Sequence, residues 1–200
     1  MKTRLSTLIN KWPLYLIGVA SVSIIVCTGV SIKCSPKENE SIYVFAPTYS
    51  FNVSRFVDES LKVTDGIRQI TVKHADPNTE EAIRTFGSYY SICDLYIMPS
   101  SWVERISPIA ASFSDEQIKT LLPNVDGYDF YKEEDKNLGI KIYEKNTNTG
   151  VGKDIITYTS EKEENEDYYL LFRNDSIHIG SLNNSQSDNA LRIVNNLLKL

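Results

Sequence analysis

IYVFAP, residues 42–47, is an apolar run stopped by a proline, and the fold class follows from how that pattern recurs along the chain. Five apolar residues without polar alternation suit a strand buried on both faces, and proline ends its ladder. Strands of that kind belong to parallel sheets covered by helices. The next residues supply such a helix. Asn52 stands as a cap before Val53, Phe56, Val57, Ser60 and Leu61, which fall on one helical face, with Arg55, Asp58, Glu59 and Lys62 turned to water. Thr64-Asp65-Gly66 closes this helix, and residues 67–73 read as a second strand.

The pattern then repeats. Asp76-Pro77-Asn78 opens a helix carrying Ala82, Ile83, Phe86 and Tyr90 on one side, and SICDLYIM, residues 91–98, is a third strand stopped by Pro99. Ser101-Trp102-Val103-Glu104 has the spacing of a capping box, and Ser114-Asp115-Glu116-Gln117 repeats that signature ahead of Ile118, Leu121 and Leu122. Strand, helix, strand, helix, strand at these intervals requires right-handed parallel crossovers, hence a three-layer α/β lobe with parallel strands.

Beyond Pro123 the runs at 138–144, 153–160, 167–173 and 176–180 are short and alternating, which predicts an antiparallel C-terminal meander added to the sheet. In the last run Ile177 and Ile179 are expected to point inward and His178 outward. The acidic residues 161–166 read as a solvated hairpin tip. Ser187-Asp188 then caps a helix bearing Ala190, Leu191, Val194, Leu197 and Leu198, expected to pack on the sheet.

Upstream of the first strand, residues 14–32 contain no charged side chain. That length suits one helical crossing of a bilayer, for which about 20 residues are needed. Lys2, Arg4 and Lys11 precede the span, which places the amino terminus in the cytoplasm. The expected organisation is a cytoplasmic tail at 1–13, a transmembrane helix at 14–32, a stalk at 33–41 and an extracytoplasmic α/β domain at 42–200, on a single-pass protein of the cell membrane. A cleaved secretory signal is the rival reading. The apolar run is long for one, and no A-x-A-like site comes after it.

Composition removes several classes of function. Residues 41–200 carry 16 basic and 24 acidic groups, a formal net charge near −8, which disfavours a nucleic-acid partner. The three cysteines, Cys27, Cys34 and Cys93, form no CxxC or Cys/His cluster, so neither a metal nor a disulfide framework is indicated. No phosphate loop, G-x-S-x-G elbow or HExxH is present, and no cofactor is expected. His74, Asp76 and Asp94 are acid-base groups near strand ends but lack a partner pattern, so an enzyme is the least favoured class.

Positional logic points to the strand ends. In open α/β sheets ligands sit beyond the carboxyl ends of the strands, where the strand order reverses. Thr48, Tyr49 and Ser50 come after the first strand; Ser100, Ser101 and Trp102 come after the third. Their hydroxyls, helix-start amides and aromatic rings suit a small polar ligand or a peptide segment. Thr48 and Ser101 read equally as caps, and Trp102 as a core residue.

IYVFAP, the amphipathic helix after it, DLYIMPSSWVERI at 94–106 and SPIAASFS at 107–114 together resemble the first lobe of extracellular solute-binding proteins of bacterial ABC importers. The likeness covers roughly residues 42–122. It implies a non-catalytic binding module working beside a membrane transporter or sensor, with the six strand-end residues as one wall of a solute cleft. Such proteins trap the solute against a second lobe of similar size, and fewer than 80 residues remain after Pro123. Recognition of a partner protein therefore stands beside recognition of a small polar solute. A structural or assembly role in the cell envelope, acting through protein contact, is the alternative function.

Overall fold

The computed structural model describes residues 12, 15–25, 35–125, 127–157 and 166–199, and the chain divides into two units, residues 1–37 and 38–200. In the first unit, residues 15–25 are helical with their apolar side chains exposed, and Ser21 Oγ donates to the Ile17 carbonyl at 2.8 Å. Among the described residues no helix is long and apolar enough to cross a membrane. Residues 14 and 26–32 of the expected span lie outside the described residues, so that span has no support from the structure.

The second unit is a mixed α/β domain around a six-stranded sheet. Strand β1 (Ser41–Ala46) leads through β2 (Ser50–Phe51) into helix α1 (Val53–Leu61), then to β3 (Gln69–His74), α2 (Glu80–Tyr89) and β4 (Leu95–Pro99). β1 lies between β3 and β4 and is parallel to both: Val44 faces Val72 on one side and Leu95 on the other. The strand order therefore reverses at β1. Asn52 caps α1, its Oδ1 accepting from Arg55 N at 3.1 Å, and Thr79 caps α2 in the same way through Ala82 N.

Successive residues of each central strand alternate between two apolar layers. Ile42, Val44, Ala46, Leu95 and Ile97 join one, with Phe56 of α1; Phe45, Tyr96 and Met98 join the other, with Ala82 of α2. Helix α3 (Ser100–Ile106) adds Trp102, Val103 and Ile106 to the second layer. Helix α4 (Asp115–Leu121) adds Ile118 to the first, and its start is the expected capping box between Ser114 and Gln117. This is the three-layer arrangement that crossovers of one hand impose.

The C-terminal half meets the sheet as a meander. β5 (Phe130–Glu133) and β6 (Lys136–Tyr143) form an antiparallel hairpin, and β8 (Tyr168–Phe172) runs antiparallel to both β6 and β4, giving the order β3-β1-β4-β8-β6-β5. β5 was not legible as a strand, because FYKE comes after a turn-rich stretch and carries two charges. The run expected at 153–160 supplies only β7 (Ile156–Thr157), which pairs with β2 outside the main sheet; residues 158–160 lie outside the described residues. Residues 176–180 are turns and the start of a 3-10 turn, not a strand. Accordingly the expected alternation fails there: Ile179 is buried as expected, but Ile177 is exposed and His178 is buried.

Helix α5 (Asn189–Leu197) closes the first layer with Ala190, Leu191, Ile193, Val194 and Leu197. Asn189 pins its start to the turn after α1 by reciprocal 2.8 Å bonds with Asp65 N and Asp65 O. Leu170, fully buried in β8 between Ile97 and Ile140, tests the joint between the two halves. Leu170→Ala should lower unfolding stability by about 2–5 kcal/mol, read from urea melts. A loss well under 1 kcal/mol would mean that the meander contributes little to the core.

Candidate functional site

The end of the sheet where β1 and β4 finish carries the six strand-end residues. Thr48 is fully buried, its Oγ1 donating to the Ser50 carbonyl at 3.3 Å, so it shapes the turn after β1. Tyr49, half exposed, and Ser50, exposed, stand at the rim. On the β4 side, Ser100 and Ser101 both bind the carboxylate of Glu166. Ser100 Oγ donates to Oε2 at 2.9 Å, Ser101 N to Oε2 at 2.8 Å and Ser101 Oγ to Oε1 at 2.9 Å.

Three donors thus converge on one carboxylate where a helix begins with no cap of its own, since Pro99 has no side chain that accepts. The expected capping box from Ser101 to Glu104 is replaced by a carboxylate 65 residues away. Next to it, Ser100 N donates to the Asp167 carbonyl at 2.9 Å and Tyr168 Oη to the Pro47 carbonyl at 3.4 Å. Of the acidic run read as a solvated tip, Glu166 is half-buried in this cap; residues 161–165 lie outside the described residues.

Trp102 is 5 % exposed and lies in the second apolar layer. Its ring meets Phe86 edge-on at 5.7 Å, and the Arg105 guanidinium covers it at 4.4 Å. A tryptophan one turn into a helix that packs on the sheet is turned inward by helical geometry, whatever the polarity of the loop before it.

At the opposite end of the sheet the residues before β1 and β4 and after β8 surround a cavity of about 440 Å³. Asp94, 4 % exposed, forms part of its lining. Its Oδ2 accepts from Tyr43 N at 2.9 Å and its Oδ1 from Ser176 Oγ at 2.6 Å. Burial pushes the Asp94 carboxyl above the usual carboxylate range. The bonds from Ser176 and Tyr43 and the charges of His178 and Arg173 oppose that rise.

His178, 1 % exposed, lies beside it. Its Nε2 is 3.0 Å from the Ser41 carbonyl and its Nδ1 3.0 Å from Ser187 Oγ. A carbonyl only accepts, so Nε2 carries a proton and donates, while Nδ1 shares its hydrogen bond with the Ser187 hydroxyl. Ser187 Oγ in turn accepts from Asn189 Nδ2 at 2.9 Å, which ties this Ser–His pair into the start of α5.

His74, the other histidine, stacks on Phe51 at the end of β3. Cys93 is a buried free thiol whose ionisation burial suppresses; Cys34 lies outside the described residues. Among the described residues no cluster of His, Cys, Asp or Glu could hold a metal ion. No family model matches this chain, and no match was found among curated proteins or solved structures.

The polar floor at the second end was missed in the sequence because its members, Ser41, Asp94, Ser176 and His178, are dispersed and only β8 assembles them. A clue was Asp94 itself, an acid directly before a five-residue buried strand.

Two consequences are measurable. Trp102→Ala should lower stability by about 3–5 kcal/mol in urea melts; unchanged stability would show that the indole is not part of the core. Asp94 binds its proton more tightly folded than unfolded. Its contribution is therefore full below the ordinary carboxylate value of about 3.9 and is lost as pH rises through the higher folded value. Stability measured from pH 4 upward should fall more steeply for the native chain than for Asp94→Asn, and identical slopes would remove burial as the cause.

Proposed function

We propose that the chain is a non-catalytic recognition module, anchored to a bacterial cell membrane through residues 14–32 and built as one solute-binding-protein-like lobe outside the cytoplasm. The observation that carries this reading is the Glu166 carboxylate held by Ser100 and Ser101 at the strand-order reversal. These strand ends have the donors of a recognition site, and the chain's own carboxylate occupies them. A free solute meets those donors already engaged, whereas a partner protein can dock on the rim, where Tyr49 and Ser50 are exposed.

The excursion between β6 and β8, residues 144–167, leaves and re-enters the sheet at this same end, since Tyr168 lies opposite both Pro99 and Tyr143. In the two-lobed proteins that the sequence resembles, the second lobe faces the strand ends; here Glu166 and Asp167 of the same chain stand there. The domain's formal net charge near −8 favours a partner surface rich in Lys and Arg. A membrane transporter or sensor subunit is the partner expected of an anchored module.

A photo-crosslinking residue placed at Tyr49 in the full-length chain, in its own membrane, tests this. The expected product is one discrete adduct with a transporter or sensor subunit, identified by mass spectrometry. An adduct with a structural envelope protein would shift the assignment to envelope assembly. A stoichiometric small molecule retained by the purified chain at the crevice, with no adduct, would overturn the reading.

A further inference from the structure

We propose that the cavity at the amino-terminal ends of β1 and β4 binds a small organic cation, a primary or quaternary ammonium on a short aliphatic chain. Its volume, about 440 Å³, lies within the roughly 300–1,000 Å³ typical of small-molecule sites. It is separate from the crevice, being at the other end of the same strands, and it does not rest on the crevice reading.

Charge selects the ligand class. Arg173 is the one Lys or Arg among the described residues of the lining, and it is committed elsewhere: Nε pairs with Asp175 Oδ1 at 2.6 Å, and a guanidinium nitrogen donates to the Ser91 carbonyl. Arg173 and Asp175 therefore offset each other. Asp94 and Glu38 are the further acidic groups of the lining, and both favour a cation. The same sign bars an anion, because no uncommitted positive group among the described lining residues faces it.

The apolar part of the ligand is selected by the mouth. Ile92 and Ile177 line the cavity yet are 44 % and 37 % exposed, on a surface otherwise polar at this end. A short aliphatic chain laid across them removes apolar surface from water on both partners.

The floor is pre-organised for this role. Asp94 is fixed by Tyr43 N and Ser176 Oγ, and His178 is fixed by Ser41 and Ser187, so the carboxylate loses little further entropy on binding. A cation beside Asp94 also relieves the burial that disfavours its charge.

Isothermal titration of the full chain in detergent micelles, with putrescine, choline and butyrate as probes, decides the matter. Saturable binding of one equivalent of putrescine or choline is expected, with none of butyrate. Glu38→Gln should weaken that binding about fivefold, and Ile177→Ser several-fold. Asp94→Asn should weaken it about tenfold; if that variant fails to fold, the two surface variants still decide. Absence of saturable binding by either amine, binding of butyrate as tight as theirs, or unchanged binding in both Glu38→Gln and Ile177→Ser would overturn the proposal. The purified chain is used without a partner, so failure here leaves the crosslink at Tyr49 untouched.

Discussion

Without β8, the backbone groups of β4 would form an open edge in the middle of the domain. Unpaired N–H and C=O groups beside a buried apolar face are costly, and an open edge is also a template for misassociation. β8 removes that cost by pairing with β4 through all five of its residues, from Leu95 opposite Phe172 to Pro99 opposite Tyr168. Its other edge takes β6 and, through it, β5. The parallel half and the antiparallel half are thus one sheet because a single strand is shared between them.

The same strand sets both ends of the domain. Five extended residues span roughly 17 Å, so the residues before β8 stand at one end of β4 and the residues after β8 stand at the other. Glu166 and Asp167 come before and bind the start of α3; Arg173 and Ser176 come after and reach Ser91, Asp175 and Asp94. A shift of one residue in this register would turn Leu170 and Phe172 to the opposite apolar layer. It would also move both polar clusters together, so crevice and cavity are mechanically tied to one pairing.

Polar groups at the two ends are treated differently. Glu166 is half-buried and caps a helix, accepting hydrogen bonds from Ser100 and Ser101. Asp94 and His178 are buried, and their hydrogen bonds run to the backbone or to a serine. For Asp94 these are a hydroxyl and a backbone N–H, for His178 a carbonyl and a hydroxyl, with no opposite charge in contact, which leaves Asp94 with the electrostatic demand that burial creates.

Much of the first half was legible along the chain because its signals are local. The run 42–46, the face of Phe56 and Val57, the Asn52 cap and the Ser114–Gln117 box each depend on neighbours within one turn or one strand. From these the alternation of strand and helix and the three layers can be derived; the central place of β1 is set by its pairing with β3 and β4. Only the tertiary structure decided the contacts that pair across distance: β8 beside β4, Glu166 on Ser101, Ser176 on Asp94, His178 turned inward and Trp102 sealed under Arg105. Local periodicity fixes which face of an element is apolar. Which polar residues meet at its ends depends on strand register, and no spacing within one segment encodes that.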